Sequence, residues 1–197
     1  PGSDSVVRGY IRDVTEEKTR ERQLTELNQA LRDLLTAETR QQVADIGARA
    51  ARDVLDLRAN AVHLCEDDDT LTPVAQTDEV ISHLGEVPAL SIADSISGRV
   101  YQRGDPTVVE DAPQDPDVYN SETDLKGHIY LPLADHGVLI AGSKEKLSFD
   151  QQDVAFGELL AGNLVAAFDR IDREQTARQR RERLSLFFEE SPLGAVQ

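Results

Sequence analysis

An α+β fold is predicted by three features of the sequence. Two pairs of short apolar runs are each joined by a polar break: Ala59–Cys65 with Leu71–Gln76, and His128–Leu133 with Val138–Gly142. Each pair reads as an antiparallel hairpin. Helical periodicity stands on either side of these hairpins, over 16–57 and again from Asp150 to beyond Ile171. The 39% hydrophobic content suffices for a packed core. With no Trp, no Met and few aromatics, that core must rest on Leu, Val, Ile and Ala.

Taken in order, Val7–Val14 is β-branched and aromatic and reads as a strand. Asp13 and Thr15 offer N-cap oxygens, and Glu16 and Glu17 suit a first helical turn. A lone strand cannot satisfy its own backbone, so it is expected to pair with something upstream. The chain opens without Met, and it reads as a piece of a longer protein. Leu24, Leu27, Leu31 and Leu34 then recur at spacings of 3, 4 and 3, the a/d seam of a short coiled coil. Such a seam suits a parallel dimer helix; the same stripe also suits a helix packed on its own domain. Val43, Ile46, Ala50, Val54 and Leu57 continue as an amphipathic face, with a break expected at Thr36 or Thr39.

The first hairpin turns at the acidic run Glu66–Asp69. That run lacks the glycine and distal glutamate of a calcium loop and reads as a solvated turn. Pro73 places the second strand at an edge or an end. Residues 77–93 are poorly patterned and read as a short helix or loop. Ile92–Gln102 reads as a helix capped by Asp94 or Ser95 and ended by Gly104. Thr107–Glu110 is a short strand, Asp111–Asp117 a loop of turn formers, and Tyr119–Lys126 a short helix. The second hairpin and the helix from Asp150 follow. The polar run Asp172–Arg183, rich in arginine, extends that helix as a solvated linker.

Residues Ser97-Gly-Arg-Val-Tyr-Gln-Arg-Gly-Asp-Pro-Thr-Val-Val-Glu-Asp111 resemble the GAF-domain pattern of helix, glycine-containing turn, proline and strand ending in an acidic residue. His128–Ile140 is similar to that family's central hairpin, and Phe149–Asp153 to the start of its last helix. The resemblance spans about residues 60–170. It implies a GAF-like antiparallel sheet of five to six strands with helices on both faces, long N- and C-terminal signalling helices, and a small-molecule pocket on one face. Gly9-Tyr-Ile-Arg-Asp-Val-Thr-Glu16 resembles the C-terminal edge of a PAS domain, although any strand capped into a helix reads similarly. The tail from Leu186 through Ser191-Pro-Leu-Gly194 resembles a PAS opening. The implied organisation is a PAS edge over 1–15, a linker or coiled-coil helix over 16–38, a GAF domain over 39–172, a linker helix over 173–185 and a second PAS start over 186–197. The parent protein so implied is a haloarchaeal-type sensor, either a histidine kinase or a bacterio-opsin-activator-like regulator.

The net charge of −16 argues against direct binding of a nucleic-acid backbone or an anionic membrane. It fits either a halophilic coat or a surface for basic partners. No stretch approaches a membrane span, and a lone cysteine fits a reducing, cytoplasmic setting. No catalytic constellation is visible, and no metal-type histidine spacing. The methionine-sulfoxide reductases that share the GAF fold need pocket cysteines, and only Cys65 is present. The cofactor is unknown: His63 or His83 could ligate haem and Cys65 could anchor a bilin. A solvated or satisfied histidine and a structural buried thiol are the plainer expectations. The cyclic-nucleotide signature of GAF relatives is missing. Tyr101, Asp111, Tyr119 and Tyr130 are the polar candidates for lining the pocket. The expected function is a sensory module that binds a small ligand and relays the signal through flanking helices of a homodimer to PAS and output domains. The alternative is a ligand-free dimerisation and relay spacer.

Overall fold

The computed structural model describes residues 25–67, 69–146 and 149–190. Leu24, the strand and PAS edge expected over 1–15, the start of the linker helix and the PAS-like motif at 191–194 lie outside the described residues.

Six strands form one antiparallel sheet: β1 (Ala59–Asp67), β2 (Thr70–Gln76), β3 (Leu90–Ser91), β4 (Thr107–Val109), β5 (Gly127–Pro132) and β6 (Gly137–Ser143). Their order is β3-β2-β1-β6-β5-β4. The two hairpins expected from the sequence therefore meet at the centre, where β1 pairs β6 with Ala61 opposite Ile140 and His63 opposite Val138. At the outer side of β2, β3 pairs only Thr70 and Leu71. Pro73, further along, needs no donor on that side.

Strand alternation divides the sheet into two faces. Val62 and Leu64 of β1, Ile129 and Leu131 of β5, and Leu139 and Ala141 of β6 belong to the main core. Over this face lie a helix at 25–36 (α1), α2 (Arg40–Leu55) and α5 (Gln151–Glu190). Ala61, His63 and Cys65, with His128 and Tyr130, and Val138, Ile140 and Gly142, point to the other face. There α3 (Asp78–Leu84) and α4 (Ile96–Arg103) cover the sheet.

α2 begins where Thr39 accepts a hydrogen bond from the Gln42 N–H at 3.2 Å, the break expected at Thr36 or Thr39. Its close partner is α5: an added Cβ at Gly47 would stand 2.8 Å from Leu164. α5 buries Leu160, Ala161, Leu164, Ala167, Phe168 and Ile171, all within 8% exposure, at the spacing of one helical face. Arg170 donates to the carbonyls of Leu34 and Ala37, closing the C-terminal end of α1. Arg40 reaches Asp172 at 2.7 Å and lies over the Phe168 ring. The expected linker at 173–185 is no separate element. It is the exposed continuation of α5, a 40-residue helix some 60 Å long at 1.5 Å per residue.

One expectation needs correction: Tyr119–Lys126 is not a helix. Asn120 accepts from the Glu122 N–H and Thr123 from the Leu125 N–H, so side chains satisfy the donors that a helix would use. The poorly patterned 77–93 region holds both α3 and the two-residue β3.

No described helix is long and apolar enough to cross a membrane.

Candidate functional site

Between the sheet's second face and its roof lies a cavity of about 90 Å³. Its floor is built by strand register. Tyr130 of β5 is paired to Ile140 of β6, and Ile140 to Ala61 of β1. His128 sits beside Gly142, and His63 stands one pleat further along β1. α3 supplies Val80 and Leu84 to the roof, and Val87, Pro88 and Leu90 follow. The N-terminus of α4 contributes Ser95, Ile96 and Ser97, and the 117–125 loop closes the side.

The roof is held in place by specific contacts. Ser95 caps α4, accepting from the Gly98 N–H at 3.0 Å, and donates to the Ser91 carbonyl at 2.6 Å. An added Cβ at Gly98 would fall 2.2 Å from the Ile92 backbone oxygen, so α4 presses directly on the chain that leads into it. Arg99 bonds Asp115 at 2.7 Å and also Asp117, tying α4 to the loop. Burial acts to raise the Asp115 carboxyl, but the Arg99 hydrogen bond, the Asp117 N–H and the Arg99 charge together hold it below its ordinary value. Ser95→Ala is expected to cost about 1 kcal/mol, the usual worth of an N-cap. Urea unfolding measures this, and an unchanged midpoint would show the cap to be idle.

The polar groups of the floor are unusual. His63 is 1% exposed, and among the described residues neither ring nitrogen has a hydrogen-bond partner. Burial drives its pKa down to about 4; the Pro88 backbone offsets this slightly without completing a hydrogen bond to the ring. His128 is likewise lowered to about 4 by burial. Its Nδ1 lies 3.0 Å from the Tyr130 hydroxyl, whose own pKa is raised above the ordinary value, first by burial. Both imidazoles are therefore neutral at pH 7, and the His128 tautomer sets which of Nδ1 and the Tyr130 hydroxyl donates.

Of the four polar residues expected at the pocket, Tyr130 lies on the floor and Tyr119 at the exposed rim. Tyr101 and Asp111 do not line the cavity. Tyr101 lies beyond the first turn of α4 and donates to the Asp135 carbonyl at 3.1 Å, while Asp111 pairs with Lys146. His63 was expected to be a solvated or satisfied histidine; it is buried, and no protein group among the described residues hydrogen-bonds its ring. Period-2 alternation already puts it on one face with Ala61 and Cys65; the missing partner is a tertiary fact. His83 stands 3.3 Å from the Asp124 carboxylate, and Cys65 is half-buried at the edge of the second core. Along α1, Leu34 is buried in the protomer's own core, Leu27 packs against it and Leu31 is half-buried.

A broader groove of about 500 Å³ runs between α1 and α2. Charged side chains such as Glu26, Asp33, Arg49 and Asp53 line it, and no orphaned buried atom points into it. The roofed cavity is the better candidate, since its shape and its unpartnered imidazole coincide.

A curled antiparallel sheet that separates three helices from a roofed cavity defines an α+β domain. The chain belongs to the GAF domain family, which residues 37–169 match; GAF domains are sensory modules found in signalling proteins. Among solved structures it is similar to the GAF domain of a phosphoenolpyruvate-protein phosphotransferase from Coxiella burnetii: 20% identity, TM-score 0.66, 79% of this chain and 98% of that one. It also resembles the free methionine-R-sulfoxide reductase of Neisseria meningitidis in complex with its substrate, at 18% identity and TM-score 0.66 over 79% and 91% of the two chains. Residues 122 to 287 of a methyl-accepting chemotaxis protein match at 17% identity and TM-score 0.59, covering 75% and 98%. No curated protein sequence matches the chain. At these identities the likeness concerns the fold. The fold is found in regulatory domains and in an enzyme alike.

Proposed function

We propose that this chain is a cytoplasmic sensory module that binds a small molecule in the roofed cavity and passes the event to α5, and through α5 to the output region of a longer signalling protein. The observation that carries this reading is His63, a buried imidazole with no protein partner that faces a cavity. An unsatisfied buried polar group costs about 1–3 kcal/mol, and ligand binding is a reason for a fold to keep one.

The same strands supply a route outward. The β5–β6 turn carries Asp135, whose carbonyl accepts from Tyr101 of the roof helix α4. It also carries His136, whose Nε2 lies 2.9 Å from Asp169 of α5 and whose ring packs on Phe168 at 5.2 Å. One short turn thus touches both the cavity's roof and the outgoing helix. A ligand that shifts α4 would bias α5 through a two-position turn. The enzymatic alternative finds little support in the cavity, where the lone cysteine is not among the lining residues. In the parent protein the module is proposed to act as a homodimer with its exposed helices paired.

The test is a thermal-shift screen of the protein against neutral, anionic and cationic metabolites, followed by hydrogen exchange across 134–137 and 160–185 with and without each hit. A hit is expected to raise the melting temperature and slow exchange in the turn and α5. Tyr101→Phe should leave ligand affinity within about twofold and shrink the exchange response in α5. Silence throughout the screen would replace the sensor with a ligand-free relay spacer.

A further inference from the structure

Resting on the sensory reading, we infer that the cavity selects a small uncharged molecule with both a hydrogen-bond donor and an acceptor, of the azole or lactam class, anchored on His63 and reaching toward the His128–Tyr130 pair.

Charge decides the first part. Among the described residues no lysine or arginine lines the cavity, and its one carboxylate, Asp117, is engaged by Arg99. An anion would meet no free cation and a cation no free carboxylate. A buried charge without a partner is driven back to water. The two imidazoles do not supply the missing charge, because burial keeps both neutral at pH 7.

Hydrogen-bond capacity decides the second part. A neutral imidazole carries one donor and one acceptor, and both are unused at His63. Across the floor, the His128–Tyr130 pair keeps one donor and one acceptor in either tautomer: a Tyr130 lone pair with the Nε2 proton, or the Tyr130 O–H with the Nε2 lone pair. On the walls Ser95 is turned to backbone partners, as are the Asn120 side-chain carbonyl and the Thr123 hydroxyl oxygen, while Ser97 brings a hydroxyl able to donate and to accept. The inward polar surface is therefore mixed in sense, and a ligand with donors alone or acceptors alone would leave groups unpaired.

Size and placement decide the third. His63 and Tyr130 stand on β1 and β5, the two neighbours of β6, with His63 level with Val138 and Tyr130 with Ile140, so their backbones are ~12 Å apart. Between them Ile140 and Gly142 form a low floor. An added Cβ at Gly142 would come within 3.0 Å of Leu125 and of the His128 ring, so both side chains pack directly over the bare backbone there. A volume of about 90 Å³ holds roughly six to nine water-sized groups. A planar five-membered ring with one or two substituents meets that limit and, anchored on His63, points along the floor toward Tyr130.

The experiment uses the whole chain at pH 7.5 with four probes of similar size: pyrazole, 2-pyrrolidone, propionate and guanidinium. Binding is followed by calorimetry and by side-chain ¹⁵N spectra of the histidines. Pyrazole or 2-pyrrolidone is expected to bind saturably and to shift the His63 ring nitrogens, while the two ions do not. His63→Leu should weaken that binding at least tenfold and yet raise the ligand-free melting temperature, a combination that a merely structural histidine would not give. Binding of propionate or guanidinium in preference to the neutral probes overturns the ligand class and leaves the sensory reading standing. His63 nitrogens that report only bound water, unmoved by any probe, overturn the class. If the metabolite screen is silent as well, the sensory reading falls with it. A His63→Leu protein that binds the neutral probes as well as the parent overturns the anchor.

Discussion

Lowering the pH from 7.5 to 5 is expected to remove several kcal/mol of folding stability, and His63 and His128 are the cause. Each has a folded-state pKa of about 4 against the ordinary 6.5. Above pH 6.5 both are neutral in the folded and unfolded chains and contribute no pH dependence. Below it the unfolded chain takes up protons that the folded chain refuses, so unfolding is favoured as pH falls, until the folded groups protonate near pH 4. At 1.36 kcal/mol per unit, each imidazole is worth on the order of 3 kcal/mol across the full window. Together they approach the lower end of a typical domain's total stability. An opposing effect exists. The chain carries a formal charge of −16 with a pI near 4.6, so acidification also relieves self-repulsion. That relief is spread over exposed carboxylates and screened by salt. The two histidine penalties are local and buried, so they should win. Urea unfolding at pH 7.5, 6 and 5 in 0.5 M salt reads the sum. His63→Leu should flatten its half of the slope, which separates the histidines from the carboxylates. A His63 ring that titrates near 6.5 by NMR, or a stability that is level from pH 7.5 to 5, would defeat the account.

The fold was legible where periodicity is strong. The pairs Ala59–Cys65 with Leu71–Gln76 and His128–Leu133 with Val138–Gly142 announce hairpins because each alternates two sets of side chains, and both faces of the sheet are covered. α4 was legible through Ser95 before it and Gly104 after it, and α5 through its repeat of Leu160, Leu164, Phe168 and Ile171. β3 was not legible, because two residues cannot show a period; it exists only because Leu71 offers it an edge. The 119–126 loop was misread because Asn120 and Thr123 can serve either a helix start or a local turn, and the burial of Leu125 decides for the turn.

The site was legible in outline only. Tyr130 follows from its alternation with Ile129 and Leu131. Tyr101 stands one turn of α4 beyond the residues that line the cavity, and that turn carries it to the β5–β6 turn instead. His63 shows the limit most plainly. Its face could be read from Ala61 and Cys65, whereas its lack of a partner depends on α3, Pro88 and α4, which the sequence pattern around 77–93 does not place.

Replacing Gly137 with alanine is expected to cost on the order of 4 kcal/mol and to disturb His63 from beneath. Gly137 opens β6 with φ of 153°, and an added Cβ would lie 2.0 Å from the His63 carbonyl oxygen and 2.8 Å from the Leu64 Cα. Both atoms are backbone of the central strand, so no flexible side chain can step aside. β1 is also held on its far side by β2 and at Cys65 by the His136 carbonyl at 2.8 Å, so it cannot retreat without breaking pairs. Overpacking of a rigid core costs about 1–3 kcal/mol, and a backbone conformation that side chains rarely adopt adds about 1–3 kcal/mol. Gly85 supplies the control: its φ is 72°, but nothing lies within 4 Å of an added Cβ, so Gly85→Ala meets only the conformational part. The difference in unfolding free energy between the two variants isolates the contact with β1. In the folded fraction of Gly137→Ala, the ¹⁵N resonances of His63 should move, because the carbonyl pushed aside belongs to that residue. Equal losses from the two variants would mean that β1 yields to the methyl group. The central strand would then be too soft to hold an unpaired imidazole against a ligand.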